Sequence, residues 1–180
     1  MNIEPVRRVL DSLGTPYALI GAHAMAARGY QRATVDVDLL TTDERVLEAE
    51  TWGALARQGA RLDLRRGDVE DPLGGVAHIL LADGVDVDVV VAKWKWEGDL
   101  IERAEELIIA GGPLRVPRVG DLILLKLAAG GHLDLHDAAA LLAIAERGMV
   151  VREVEAHIDD VRPDIRHAWQ DLLAAADRLR

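Results

Sequence analysis

The chain has 180 residues, half of them apolar, enough for one domain with a sizeable core or for a compact core with a helical appendage. It has no cysteine and no phenylalanine, so disulfides and thiolate metal sites are excluded and the core is built from Leu, Val, Ile and Ala. Thirty-one acidic against 21 basic residues give a net charge of −10, which argues against a broad duplex-binding face; the trio Arg61, Arg65 and Arg66 reads as a solvated strand face. No apolar run approaches the roughly 20 residues that span a bilayer, and Met1 to Leu13 lacks an apolar signal core, so the expectation is a cytoplasmic protein with no membrane partner.

In chain order, residues 3–13 read as a helix, with Pro5 tolerated in the first turn and Gly14 past the end. Tyr17 to Ile20 reads as a short strand running into Gly21 and a small-residue helix, Ala22 to Arg28, closed by Gly29. Val35 to Leu40 is a second strand, after which Thr42 or Asp43 caps a helix expected to extend to about Gln58. Strands follow near 60–66 and 76–82, and the Asp83-Gly84 turn folds Val76 to Ala82 against Val85 to Ala92. Residues 97–109 read as helix. Pro113 and Pro117 bracket an extended piece, and three or four helices fill the rest, broken at Gly130-Gly131, Gly148 and Pro163. This divides the chain into an α/β core, 1–116, and a helical segment, 117–180, packed on it.

Two strands carry unusual chemistry. In Val35 to Leu40, alternation places Asp36 and Asp38 on one face, about 7 Å apart, and apolar residues on the other. Val85 to Val89 repeats the pattern with Asp86 and Asp88. Any half-exposed strand alternates apolar and polar residues, but aspartate is a poor strand former and like charges repel. Two such strands, both choosing aspartate, point to a hard divalent cation with oxygen ligands. The strand–Gly21–helix junction offers free backbone N–H groups one helix before the first acidic pair, which suits a phosphate. Phosphate cradle and metal-carboxylate pair together are the equipment of phosphoryl or nucleotidyl transfer.

The stretch ALIGAHAMAARGYQRATVDVDLL resembles the opening of minimal nucleotidyltransferases of the DNA polymerase β superfamily, and more closely the AbiEii-type group, several of whose members are toxins of toxin–antitoxin systems. Gly21, Arg32, Thr34, Asp36 and Asp38 carry the match. VDVDVVVA resembles the family's later carboxylate strand, with Asp88 the better match and Asp86 second; LRVPRVGDLILLKLAAGGHLDLHDAAALL resembles its late lysine and D-x-x-D helices through Asp121, Lys126, Asp134 and Asp137. The resemblance covers roughly residues 17–142. It implies an α/β (α+β) nucleotidyltransferase-type mixed sheet with flanking helices followed by a helical C-terminal segment. It also implies a nucleoside triphosphate substrate, Mg²⁺ or Mn²⁺ at Asp36, Asp38 and Asp88 (Asp86 as substitute), and nucleotide contacts from Gly21, Ala22, His23, Arg32, Thr34, Lys126 and Asp137. The acceptor hydroxyl would lie on tRNA or another RNA end, a protein or a small molecule, and an antitoxin protein is an implied partner. The superfamily usually has Gly-Gly or Gly-Ser where this chain has Gly21-Ala22, which removes one hydroxyl donor and leaves the backbone N–H groups and His23.

Other features read blandly. Lys126 either snorkels at a helix edge or contacts triphosphate, and Asp137 either pairs with it or sits on a helix surface. His132 and His136 read as exposed rather than as metal ligands, and Trp94 and Trp96 as packing rather than base stacking.

Overall fold

The computed structural model describes residues 2–109 and 112–178. Helix α1, Glu4–Leu13, carries Pro5 in its first turn and ends on Gly14 in the left-handed conformation. Strand β1, Tyr17–Leu19, leads to α2, Gly21–Ala27, and β2, Asp36–Thr41. The long helix expected after Asp43 does not form. Asp43 does cap, but the segment breaks into two 3₁₀ turns, Glu44–Leu47 and Ala49–Trp52, before a short α3, Gly53–Arg57. Tertiary packing overrides helix propensity here: Val46, Leu47, Trp52 and Leu55 are all buried, and the Trp52 indole donates to the carbonyl of Val46 at 2.7 Å.

Strands β3, Arg61–Arg66, β4, Gly75–Leu80, and β5, Asp86–Val91, complete a five-stranded mixed sheet in the order β1-β2-β5-β4-β3. Only β2 and β5 pair in parallel; the other neighbours are antiparallel. Helix α4, Lys95–Arg103, is shorter than the sequence suggests. Residues 105–109 instead form β6, Glu105–Ile109, hairpin-paired with β7, Gly112–Val116. Glu105 and Glu106 favour helix locally, but cross-strand pairing with Val116 and Arg115 decides the outcome.

The rest is helical: α5, Val119–Ala129, α6, His132–Ile144, α7, Arg147–Glu155, and α8, Pro163–Arg178. Apolar α5 is the hub, packing against α2, α6, α7 and α8, with Leu122, Ile123 and Leu124 at most 2% exposed. One buried cluster runs from Val6 of α1 through the valines of β5 to Trp169 of α8. Burial of each such side chain contributes about 1.5–3 kcal/mol. Among the described residues no helix is long and apolar enough to cross a membrane.

Candidate metal centre and adjoining cavity

The parallel register of β2 and β5 sets Asp36 opposite Asp86 and Asp38 opposite Asp88. Because strand side chains alternate, all four carboxylates project from one face of the sheet, and the valines between them are fully buried on the other. Ligand oxygens of Asp36, Asp38 and Asp88 lie within 4.8 Å of one another. The same face turns apolar two residues on, at Leu40 and Val90, which are buried. The acidic patch therefore sits at the border between a wet and a dry half of one sheet face.

The electrostatics of the three carboxylates differ. Thr34 donates its hydroxyl to Asp36, and this bond holds the Asp36 carboxyl below its ordinary range. Burial, then the like charges of Asp36 and Asp88, push Asp38 up to about 6. Lys126 and Arg32 are the cations nearest enough to oppose that rise. Both are already engaged: Lys126 Nζ lies 2.7 Å from Asp134 and 3.3 Å from Asp137, and Arg32 Nε donates to Asp137 at 3.1 Å. Lys126 is therefore neither snorkelled nor loose, and Asp137, fully buried, is the common partner that positions both cations.

Gly21 closes the other side of Asp38. Its φ is +63°, a region open to glycine, and a Cβ there would lie 1.9 Å from Asp38 Oδ2. Only a residue without a side chain lets the backbone approach this carboxylate. Ala22 is buried behind it and His23 is half-buried, with burial lowering the imidazole's proton affinity. The first N–H bonded within this turn is that of Ala24, to the carbonyl of Ile20 at 3.3 Å.

One residue absent from the sequence-derived set joins the patch. His78 on β4 stands opposite Asp88, and its Nδ1 is 2.6 Å from Asp88 Oδ1. That hydrogen bond, with Asp86 and Asp63 nearby, raises the proton affinity of the imidazole. Asp86 Oδ1 lies 3.4 Å from the same nitrogen, outside hydrogen-bonding geometry, and is buried with no hydrogen-bond partner. His78, Asp86 and Asp88 thus form a second possible ligand group sharing Asp88 with the first.

Two hollows flank the patch. A cavity of about 310 Å³ is lined by Gly21, Asp38 and Lys126 together with Leu40, Val90, Leu122 and Ile165. A wider cleft of about 600 Å³ lies over Asp63, Arg65, Arg66, His78 and Asp88. Arg65 pairs with Asp63 and Arg66 with Glu44, both on the exposed surface, as expected for a solvated strand face. Asp121, matched by the family resemblance, is away from both hollows, held by Arg103 at 3.0 and 3.2 Å. His132 and His136 are exposed on α6 and join no cluster of candidate ligands among the described residues. Trp96 is 4% exposed, as packing requires, whereas Trp94 is 40% exposed.

No family model matches the chain, and no curated protein matches it in sequence. Solved structures do. The antibiotic-resistance factor ANT(2'')-Ia in solution superposes with a TM-score of 0.56 at 20% identity, over 98% of this chain and 93% of that one. The crystal structure of ANT(2'')-Ia in complex with adenylyl-2''-tobramycin gives 0.55 at 19% identity, over 87% of this chain and 95% of that one. An antigenic nucleotidyltransferase-like protein from Paracoccidioides brasiliensis gives 0.51 at 16% identity, over 97% of this chain and 86% of that one. At these identities the likeness defines a fold, and the fold is that of the nucleotidyltransferases.

Proposed function

We propose that the chain is a metal-dependent nucleotidyltransferase that moves a nucleoside monophosphate from a nucleoside triphosphate to an acceptor hydroxyl. The observation that carries this reading is the parallel register of β2 and β5. It gathers Asp36, Asp38 and Asp88 within 4.8 Å beside a glycine that has no room for a Cβ. Three carboxylates so close, with Asp38 driven up by burial and by its neighbours' charge, suit a divalent cation. Mg²⁺ or Mn²⁺ held there would neutralise triphosphate charge and acidify the acceptor hydroxyl.

The chain's own groups divide the remaining work. Thr34 keeps Asp36 ionised. Gly21, Ala22 and His23 present backbone N–H groups beside Asp38 for the phosphates. Lys126 and Arg32, both steadied by Asp137, offset charge that builds on the departing pyrophosphate. Asp88, oriented by His78, accepts the proton of the attacking hydroxyl. In the transfer a bond forms between the acceptor oxygen and the α-phosphorus, and the α–β phosphoanhydride bond breaks. The hydroxyl proton goes to Asp88, and pyrophosphate leaves.

Two neighbouring ideas differ only in the acceptor. A small-molecule hydroxyl is supported by the fold likeness to ANT(2'')-Ia, bound in one structure to adenylyl-2''-tobramycin. An RNA end such as that of tRNA, or a protein hydroxyl, is supported by the AbiEii-type resemblance and would bring an antitoxin partner with it. Incubation with α-phosphate-labelled triphosphates, Mg²⁺ and total cell extract separates them. Label is expected in one of the small-molecule, RNA or protein fractions and absent with Asp38→Asn. Equal labelling by wild type and variant contradicts the reading.

A further inference from the structure

Beside the Asp36–Asp38–Asp88 group, one place on the sheet brings an imidazole and two carboxylates together. Strand β4 runs antiparallel to β5, which sets His78 directly opposite Asp88 and diagonal to Asp86. His78 Nδ1 is 2.6 Å from Asp88 Oδ1 and 3.4 Å from Asp86 Oδ1, and the three side chains offer ligand atoms within 4.8 Å of one another. Asp63, opposite His78 on β3, is taken up by Arg65. Among the described residues no arginine or lysine pairs directly with Asp86 or Asp88.

Asp86 Oδ1 gives an independent sign of a missing partner. It is buried and accepts no hydrogen bond, although it stands 3.4 Å from the imidazole nitrogen. A buried carboxylate oxygen without a donor or cation is costly. The distances suit a small four-coordinate ion. Bonds of about 2.0–2.1 Å at tetrahedral angles put neighbouring ligand atoms about 3.3–3.4 Å apart. Asp86 and His78 already stand at that separation. His78 and Asp88 must part by about 0.7 Å as an ion replaces their hydrogen bond, and the imidazole, 43% exposed, is free enough to swing that far.

Donor chemistry separates this group from the first one. Asp36, Asp38 and Asp88 offer oxygen alone, which suits hard Mg²⁺. An imidazole nitrogen beside two carboxylates favours a transition-metal dication, and Zn²⁺ accepts three such ligands with a fourth position left for water. His78 and Asp88 line the 600 Å³ cleft, so an ion from solution has a path in.

We propose that His78, Asp86 and Asp88 form a second metal site, selective for a zinc-type dication over Mg²⁺. The site stands on these distances and donors and not on the nucleotidyl-transfer reading. Asp88 is the one residue it shares with the centre proposed there.

Calorimetric titration of the full chain with ZnCl₂ in excess Mg²⁺, with the imidazole resonances followed by NMR, tests this. Saturable Zn²⁺ binding is expected, and the His78 ring signals should move before those of His132 and His136. His78→Gln and Asp86→Asn each remove one ligand from a half-buried strand position. Each is expected to weaken Zn²⁺ binding by about tenfold or more. Asp36→Asn, which belongs only to the first centre, is expected to lose less than about threefold. Every variant is titrated where its circular dichroism matches wild type, and the NMR arm needs no variant. The assignment is overturned by absence of Zn²⁺ binding in the wild-type chain, by His78 signals that do not move, by equal affinity in wild type and both ligand variants, or by a loss in Asp36→Asn as large as that in Asp86→Asn. None of these results touches Mg²⁺-dependent transfer, which stands or falls on its own labelling experiment.

Discussion

Asp121 and Asp137 lie buried and ion-paired with guanidinium or ammonium groups, whereas among the described residues no arginine or lysine pairs directly with Asp36, Asp38, Asp86 or Asp88. Arg103 grips both oxygens of Asp121, and Arg32 and Lys126 converge on one oxygen of Asp137. On the β2–β5 face burial, then the like charges of Asp36 and Asp88, push Asp38 up to about 6. The first kind of carboxylate holds helices together. The second costs stability in the chain alone, which makes sense if a cation from solution completes it. Carboxylates in one small protein thus differ in how many cations lie in direct contact with them.

The comparison can be broken at either end. Asp38→Asn is expected to have the largest effect, lowering transfer of labelled nucleotide by about 10³-fold without loss of folding stability, because removing one of three like charges relieves repulsion. Asp121→Asn should do the reverse. Leaving the partly buried Arg103 without its carboxylate is expected to lower unfolding free energy by about 3 kcal/mol, read by urea titration, with any remaining activity per folded molecule little changed.

A smaller effect concerns pH. Asp38 holds its proton up to about pH 6 in the folded chain but only to about 3.8 when unfolded. The folded state therefore binds more protons in that window, and stability in EDTA falls by about 2 kcal/mol as pH rises from about 4 to about 6, then levels off. His78, whose proton affinity is raised, adds a loss of the same sign above its ordinary value of 6.5. Asp38→Asn should flatten the lower window and leave the upper one. A wild-type curve that climbs relative to the variant between pH 4 and 6 would contradict the electrostatic account.

Much of the site is readable in the sequence because it depends on period-two alternation within two short strands. Asp36 shares a face with Asp38, and Asp86 with Asp88, however the sheet is ordered; that the two pairs meet depends on β2 pairing with β5. What alternation cannot give is registry across a turn. Reading Asp83-Gly84 as a two-residue turn would set Ile79 opposite Asp88. The structure closes the hairpin one residue wider, with Leu81 bonded to Val85 at 2.8 Å and Gly84 at φ +87°. That brings His78 opposite Asp88 instead. A three-residue loop ending on the glycine was the signal that could have found it. The helix expected over 97–109 failed similarly, since the partner of residues 105–109 lies across a turn in β7. Arg32 and Asp137 are far apart in sequence, so periodicity could not pair them; the structure joins them at 3.1 Å.

The central claim is that the unanswered carboxylates form a cation site serving a triphosphate. Mn²⁺ titration followed by electron paramagnetic resonance, with and without nucleoside triphosphate, tests it most directly. The account predicts saturable Mn²⁺ binding in the wild-type chain, tightened by triphosphate and lost in Asp38→Asn, while Asp121→Asn binds as wild type does under conditions where it is folded. Equal Mn²⁺ binding by wild type and Asp38→Asn, or no binding by either, would contradict it.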